Sequence, residues 1–284
     1  VKNISASLKE YGRGIAGGLL FSLPLFFTEE MWLAGLSLPA QRMLAYLFVT
    51  FLLLMGYNRY AGLHAGASWT EIIVDSIEEM GLGLLLSAGI LQLIGQLDWF
   101  EYSPHENLSK IIMQSMPVAI GISIGTAQFK SKESESPADE KKQQSTPKDN
   151  SSDFGERFVL AACGSVLVAG NMAPTHEVVL VAAASSVYSL ITTILVALTA
   201  GILILFYVDF RGAGTLASSG RMKKALLHTM TAYIASVVSS ALMLWFFGQL
   251  TSLSLFAAIT CIVVLSFPAM LGASAGRLLI KGSQ

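Results

Sequence analysis

Apolar residues run along this chain in stretches of about twenty, each closed by polar or charged residues. A stretch of that length crosses a hydrocarbon core of roughly 30 Å as a helix, whereas a membrane barrel needs short segments that alternate with a period of two. The pattern predicts eight spans at 14–36, 43–57, 72–97 and 111–129, then 158–183, 185–208, 225–250 and 253–275. Between the two sets lies KSKESESPADEKKQQSTPKDNSSD, Lys130 to Asp153, which cannot bury enough apolar area to offset the entropy of ordering and is expected to be a disordered linker. The expected fold is therefore all-α and polytopic. A first four-helix transmembrane unit covers 1–129, a charged linker 130–153, and a second four-helix unit 154–284.

The two units carry matching segments. The fourth span contains SMPVAIGISIG, Ser115 to Gly125, and the eighth SFPAMLGASAG, Ser266 to Gly276; both spell S-x-P-x-x-x-G-x-S-x-G. Five fixed positions at one spacing point to an internal repeat. The third and seventh spans both end in GQL, at Gly95 to Leu97 and Gly248 to Leu250, and the second and sixth end at Tyr57 and Tyr207. An even number of spans per unit makes the repeat parallel, with a pseudo-two-fold axis along the membrane normal. At an offset of 147, Thr28-Glu29-Glu30 in FFTEEMW aligns with Thr175-His176-Glu177 in MAPTHEVV.

Composition agrees with the pattern: 53% of residues are hydrophobic and 13% charged. Of the 18 Lys and Arg, all but Arg42 and Lys110 fall on one side if the N-terminus is cytoplasmic, so both termini are expected inside. Lys2 to Arg13 leads into the first span without a small-residue cleavage site, so no cleavable signal peptide is expected. Val1 fits a bacterial GTG start, and the expected location is the bacterial inner membrane. The 3/4 loop, with Asp98, Glu101 and Glu106, then faces outward as either an ordinary hydrated loop or an acidic mouth. Cys163 and Cys261 lie in apolar runs and read as buried thiols.

A carboxylate in lipid costs at least ~2.5 to 3.5 kcal/mol, so Glu29, Glu30, His176 and Glu177 should face protein or water. Two nearby carboxylates in a dry interior need a cation or a shared proton, which is the chemistry of ion coordination or proton coupling. The helical rise puts Glu30 and Glu177 roughly 25 to 30 Å from the cytoplasmic surface. The competing reading is that they are hydrated and cap helix ends at the outer interface. Pro24, Pro174, Pro117 and Pro268 each remove a helical hydrogen bond and leave a carbonyl for a ligand or side chain. Ser115, Ser123, Ser266 and Ser274 either line a polar path or, like the nearby glycines, serve helix packing. At the inner end of the third span, Glu71, Asp75 and Glu78 share a face, and Glu71 aligns with Lys224 and Asp75 with His228 on the seventh, a pattern that suits structural pairing or else a charged cytoplasmic vestibule. Glu78 and Glu79 lie a turn deeper and join the candidates. Together the candidate ion-binding set is Glu30, Glu177, Glu29, His176, Thr28, Thr175, Ser115, Ser266, Glu78 and Glu79.

Catalytic signatures are absent: His176-Glu177 lacks the second histidine of H-E-x-x-H, and no G-K-[ST] loop occurs. An enzyme is not expected. No cofactor is expected beyond a bound cation of unknown identity. The T-[EH]-E and S-x-P-x-x-x-G-x-S-x-G segments and the charged linker resemble an uncharacterised family of bacterial integral membrane proteins, over essentially the whole chain. That resemblance implies a bacterial integral membrane protein and assigns no activity or site residue. The expected function is transport of a small cation or protons, as a secondary transporter or channel, in contact with the lipid bilayer and without nucleic acid. The alternative is a non-transporting, pH-sensing protein that serves a cytoplasmic or membrane partner protein.

Overall fold

The computed structural model describes residues 4–61, 67–130, 152–209 and 219–281. Among them every regular element is a helix: α1 (Ile4–Phe26), α2 (Glu29–Ser37), α3 (Ala40–Ala61), α4 (Trp69–Leu93), α5 (Pro104–Lys130), α6 (Ser152–Met172), α7 (Glu177–Ala184), α8 (Val187–Asp209), α9 (Ser219–Phe246) and α10 (Leu255–Lys281). The expected linker lies outside the described residues over 131–151, and its edge residues Lys130, Ser152 and Asp153 belong to helices instead. The side chain of Lys224 is also outside them.

Two expected spans are broken. The first bends by 84° between α1 and α2, and the fifth by 90° between α6 and α7. In α1, Pro24 supplies no amide to the helix, and the chain tightens into a turn in which the Phe27 and Thr28 amides reach back only three residues, to the Pro24 and Leu25 carbonyls. Thr28 then takes an extended conformation, φ −102° and ψ 112°, before α2 starts. In α6 the helix stops at Met172, two residues before Pro174, as the restriction on residues preceding proline requires. Among the described residues, five unbroken helices are long and apolar enough to cross a membrane, α3, α5, α8, α9 and α10, and each bent pair adds one more, for up to seven. The remaining long helix, α4, carries Glu71, Asp75, Glu78 and Glu79 in its first half.

Each set of five helices is built around its last member. The first four pack on α5, with α1 making the most extensive contact, and α6, α7, α8 and α9 pack likewise on α10. Close approach of α1 and α5 depends on glycine: a Cβ on Gly17 would lie 2.5 Å from the Gly121 carbonyl oxygen and from the Gly125 Cα. Where α6 crosses α10, a Cβ on Gly272 would strike the Gly164 carbonyl. The glycines of the serine-proline segments are therefore packing surfaces. Both GQL segments form a glycine-ended helix stop. Gly95 has φ 74° and Gly248 φ 75°; the Gln96 and Gln249 amides reach the Leu91 and Leu244 carbonyls, both at 2.9 Å.

The two sets meet mainly through α3 and α6. A Cβ on Gly56 of α3 would be 2.6 Å from Val159 of α6, and the Cys163 thiol donates to the Leu53 carbonyl at 3.6 Å. Toward the other end of α3, Tyr46 stacks on Phe246 at 4.8 Å between centroids. Both cysteines are buried and free. A closed two-fold relation between the sets would also pack α8 against α1, and among the described residues those helices do not pack together. The main contact thus joins unlike helices head-to-tail, while the like pairs α1–α6 and α5–α10 also touch.

The crossing predicts that Gly17→Ala destabilises the protein by about 1–3 kcal/mol through overpacking. Gly81→Ala, with nothing within 4 Å of its Cβ, is expected to leave stability unchanged or raise it by up to about 1 kcal/mol. Thermal unfolding in detergent compares the two.

Candidate functional site

At both bends the carbonyls released from the helix are taken up by side chains. The Thr28 hydroxyl donates to the Pro24 carbonyl at 3.1 Å, the Gln114 amide to the Leu25 carbonyl at 2.9 Å, and the Trp32 indole to the Phe26 carbonyl at 3.1 Å. At the second bend the Thr175 hydroxyl donates to the Met172 carbonyl and the Gln249 amide to the Pro174 carbonyl, both at 2.8 Å. The two threonines of the matching segments thus complete the breaks. Glu29 and Glu30 fall in the first turn of α2, and Glu177 in the first turn of α7. There the unpaired amides and the helix dipole favour negative charge. Glu29, His176 and Glu177 are exposed and Glu30 half-buried. Since α2 packs on α5 and α7 on α10, and not on each other, the structure does not bring Glu30 and Glu177 together. Among the described residues no group of three or more His, Cys, Asp or Glu could hold a metal ion.

The prolines within α5 and α10 behave differently from those at the bends. Pro117 leaves the Met113 carbonyl without its helical donor, and the buried Tyr46 hydroxyl fills the gap at 2.9 Å. Ser115 and Ser266, two residues ahead of Pro117 and Pro268, donate back to the Ile112 and Val263 carbonyls at 2.7 and 2.8 Å. Beside Pro117 lies an apolar void of about 10 Å³ bordered by Met31, Tyr46, Met116 and Met243, barely the size of one water.

Among the described residues of the first set, Glu79 is a carboxylate buried in the protein. It is 9% exposed and accepts a hydrogen bond at 2.8 Å from the Asn58 side-chain amide, which also reaches the Ser76 hydroxyl at 3.1 Å. Ser123 donates to the Asn58 carbonyl oxygen at 3.0 Å, so α3, α4 and α5 each contribute to one polar cluster. Among the described residues, Asp75 and Glu78, both acidic, act on Glu79. Glu78 itself points outward, where the Tyr11 hydroxyl donates to it. At the position of Glu79 in α9, at the GQL offset of 153, stands the buried Ala232, and the hydroxyl of Ser274, the counterpart of Ser123, has no hydrogen-bond partner among the described residues.

Sequence reasoning included Glu79 and Ser123 but passed over Asn58. An amide within an apolar span was the available signal, since a polar group there needs a partner. The two basic residues that fall on the outer side by charge count also have specific partners. Arg42 donates to the Phe246 carbonyl at 3.4 Å and lies 5.4 Å from the Trp245 ring centroid. Lys110 donates to the Gln96 carbonyl at 3.1 Å with its ammonium 3.7 Å from the Tyr102 centroid. In the loop before α5, the Phe100 and Glu101 amides hold the Asp98 carboxyl below the usual carboxylate range.

Residues 10–280 match the family described as "Putative integral membrane protein (DUF2391)". No curated protein and no solved structure matches the chain.

Two outcomes follow from the cluster and the loop. Asn58→Leu strips Glu79 of its donor and is expected to cost about 1–3 kcal/mol in thermal unfolding, whereas Glu30→Gln and Glu177→Gln each cost under about 1 kcal/mol. Because the folded Asp98 pKa is depressed, its stabilisation of the loop is present above the ordinary carboxylate range and is lost as pH falls through the depressed value. Asp98→Asn should flatten that acid dependence in hydrogen exchange of the Phe100 and Glu101 amides.

Proposed function

The chain belongs to that family of integral membrane proteins, and we propose that it transports protons or a small cation, with Glu79 as the group that takes up the ion. The observation that carries the reading is a carboxylate buried among α3, α4 and α5 whose partners among the described residues are the neutral Asn58 and Ser123 and whose charged neighbours there are acidic. Burying such a charge is costly unless it is paired or neutralised, and a proton or a monovalent cation neutralises it. A single carboxylate with amide and hydroxyl neighbours suits a proton better than a divalent metal, which takes six or more oxygens or several charged ligands. Secondary transport fits this better than a permanently open channel, given the close packing of α5.

In this reading the protein has eight spans in two parallel four-helix repeats joined by the 130–153 linker, sits in the bacterial inner membrane with both termini cytoplasmic, and is not an enzyme. Support for the duplication comes from matching features: bends of 84° and 90° at the T-[EH]-E segments, left-handed glycines at both GQL stops, and glycine crossings of α1 on α5 and α6 on α10. Burial refines the register of the second and sixth spans. Met43, Thr50 and Leu54 are buried in α3, and Leu190, Ala197 and Gly201 are buried in α8 at a constant offset of 147. Tyr57 and Tyr207, which differ by 150, are then not equivalent. The two repeats have diverged, so that the acidic cluster belongs to the first. The outer carboxylates Glu29, Glu30 and Glu177 act in this reading as helix-end charges beside the bends. The same buried carboxylate also suits a pH-sensing partner protein that carries no ion.

Reconstituted into liposomes, the protein should move protons or a monovalent cation down an imposed gradient. Glu79→Gln should lower the flux at least tenfold, while the Glu30→Gln/Glu177→Gln double variant stays within about twofold of wild type, a factor worth under ~0.5 kcal/mol. Equal flux in Glu79→Gln and wild type would remove Glu79 from the mechanism. Absence of flux under every gradient would favour the pH-sensing partner.

A further inference from the structure

We propose that a second copy of this chain packs its α8 against α1 of the first, reproducing between chains the contact that α3 makes with α6 inside one chain. The inference rests on the duplication described above. If α1 and α6 are equivalent helices at the offset of 147, the faces they present can be compared residue by residue. On α6, Cys163 is 1% exposed and Leu167 6% because α3 covers them; their equivalents on α1 are Ala16, which is exposed, and Leu20, which is 67% exposed. At the end of α9, Phe246 is 7% exposed beneath Tyr46, while its equivalent on α4 at the GQL offset, Leu93, is 86% exposed. The surface corresponding to the internal interface is therefore open in the first repeat.

The matching surface of the second repeat is also accessible. Leu203 of α8, the counterpart of Gly56, is 62% exposed, and Thr193 and Ala200, the counterparts of Tyr46 and Leu53, are half-buried. The contact pairs keep their sizes complementary. Inside the chain, Gly56 of α3 meets Val159 of α6; at the same offset Leu203 of α8 would meet Gly12 of α1, with the large and small partners exchanged. The Leu53–Cys163 contact becomes Ala200 against Ala16, two small residues of the kind that let helices in a membrane approach closely. Lipid would be served equally well by large apolar residues throughout, whereas a head-to-tail contact must either close or propagate. Two chains, each offering α8 to its partner's α1, form the smallest closed ring.

The test uses the full chain in liposomes with Ala16→Cys and Ala200→Cys, singly and together, oxidised with copper phenanthroline. The double variant is expected to run mostly as a reductant-sensitive dimer, while wild type and both single variants stay monomeric. A ladder beyond dimer, or a dimer from either single variant, would overturn the arrangement. So would a double variant that melts like wild type yet gives no cross-link. Leu53→Cys, paired with the native Cys163, separates the two readings: an intrachain disulfide there with no Ala16–Ala200 product overturns the dimer alone. No disulfide in either place removes the internal template and the proposal built on it.

Discussion

The architecture depends on how near two backbones can come. Gly17 lies against Gly121 and Gly125 with no room for a methyl group, and Gly164 and Gly272 meet in the same way. Lipid exerts no hydrophobic drive between helices, so contact area and backbone proximity have to hold them together. Once α1 and α6 are seated so closely, α5 and α10 can be wrapped by all the other helices of their sets. The serines and prolines of their repeated segments are then enclosed in protein.

Enclosure has a chemical consequence for those segments. A proline in a helix exposed to lipid would leave a carbonyl with no donor. Here Tyr46 serves Met113, and Gln114 and Gln249 serve Leu25 and Pro174. Two neutral amides, Gln114 in α5 and Gln249 just beyond α9, complete the two broken helices from neighbouring elements. That division of labour explains how the chain can turn through nearly a right angle twice and still bury Leu25, Phe26, Ala173 and Pro174 at the turns.

Much of the helical order was legible in the sequence, because twenty-residue apolar stretches report length directly. The bends were not, because summed apolarity over 14–36 or 158–183 is the same whether the segment is straight or broken. Pro24 and Pro174 marked the region, but only the extended Thr28 shows where the axis turns. The same limit applied to the acidic residues. Glu78 and Glu79 are neighbours in sequence and a helix sends adjacent side chains about 100° apart, so one meets Tyr11 and the other Asn58. Which of the two is enclosed depends on a helix twenty residues away. Glu30 and Glu177 stood out in an alignment for the same reason that the bends exist at all, as first-turn residues of α2 and α7.

The bends also set how thick a bilayer the protein prefers. From Gly14 to Phe26 the apolar part of α1 rises about 20 Å, and from Phe158 to Met172 that of α6 about 22 Å, against roughly 30 Å of hydrocarbon. The long helices α8 and α10 match an ordinary membrane, and α1 and α6 match a thinner one. No residue of α6 from 155 to 171 is exposed, so the lipid that must compress lies beside α1, at fractions of a kcal/mol per Å. The deformation falls where Thr28 to Glu30 are found, so one molecule makes unequal mechanical demands around its edge on the sheet that contains it.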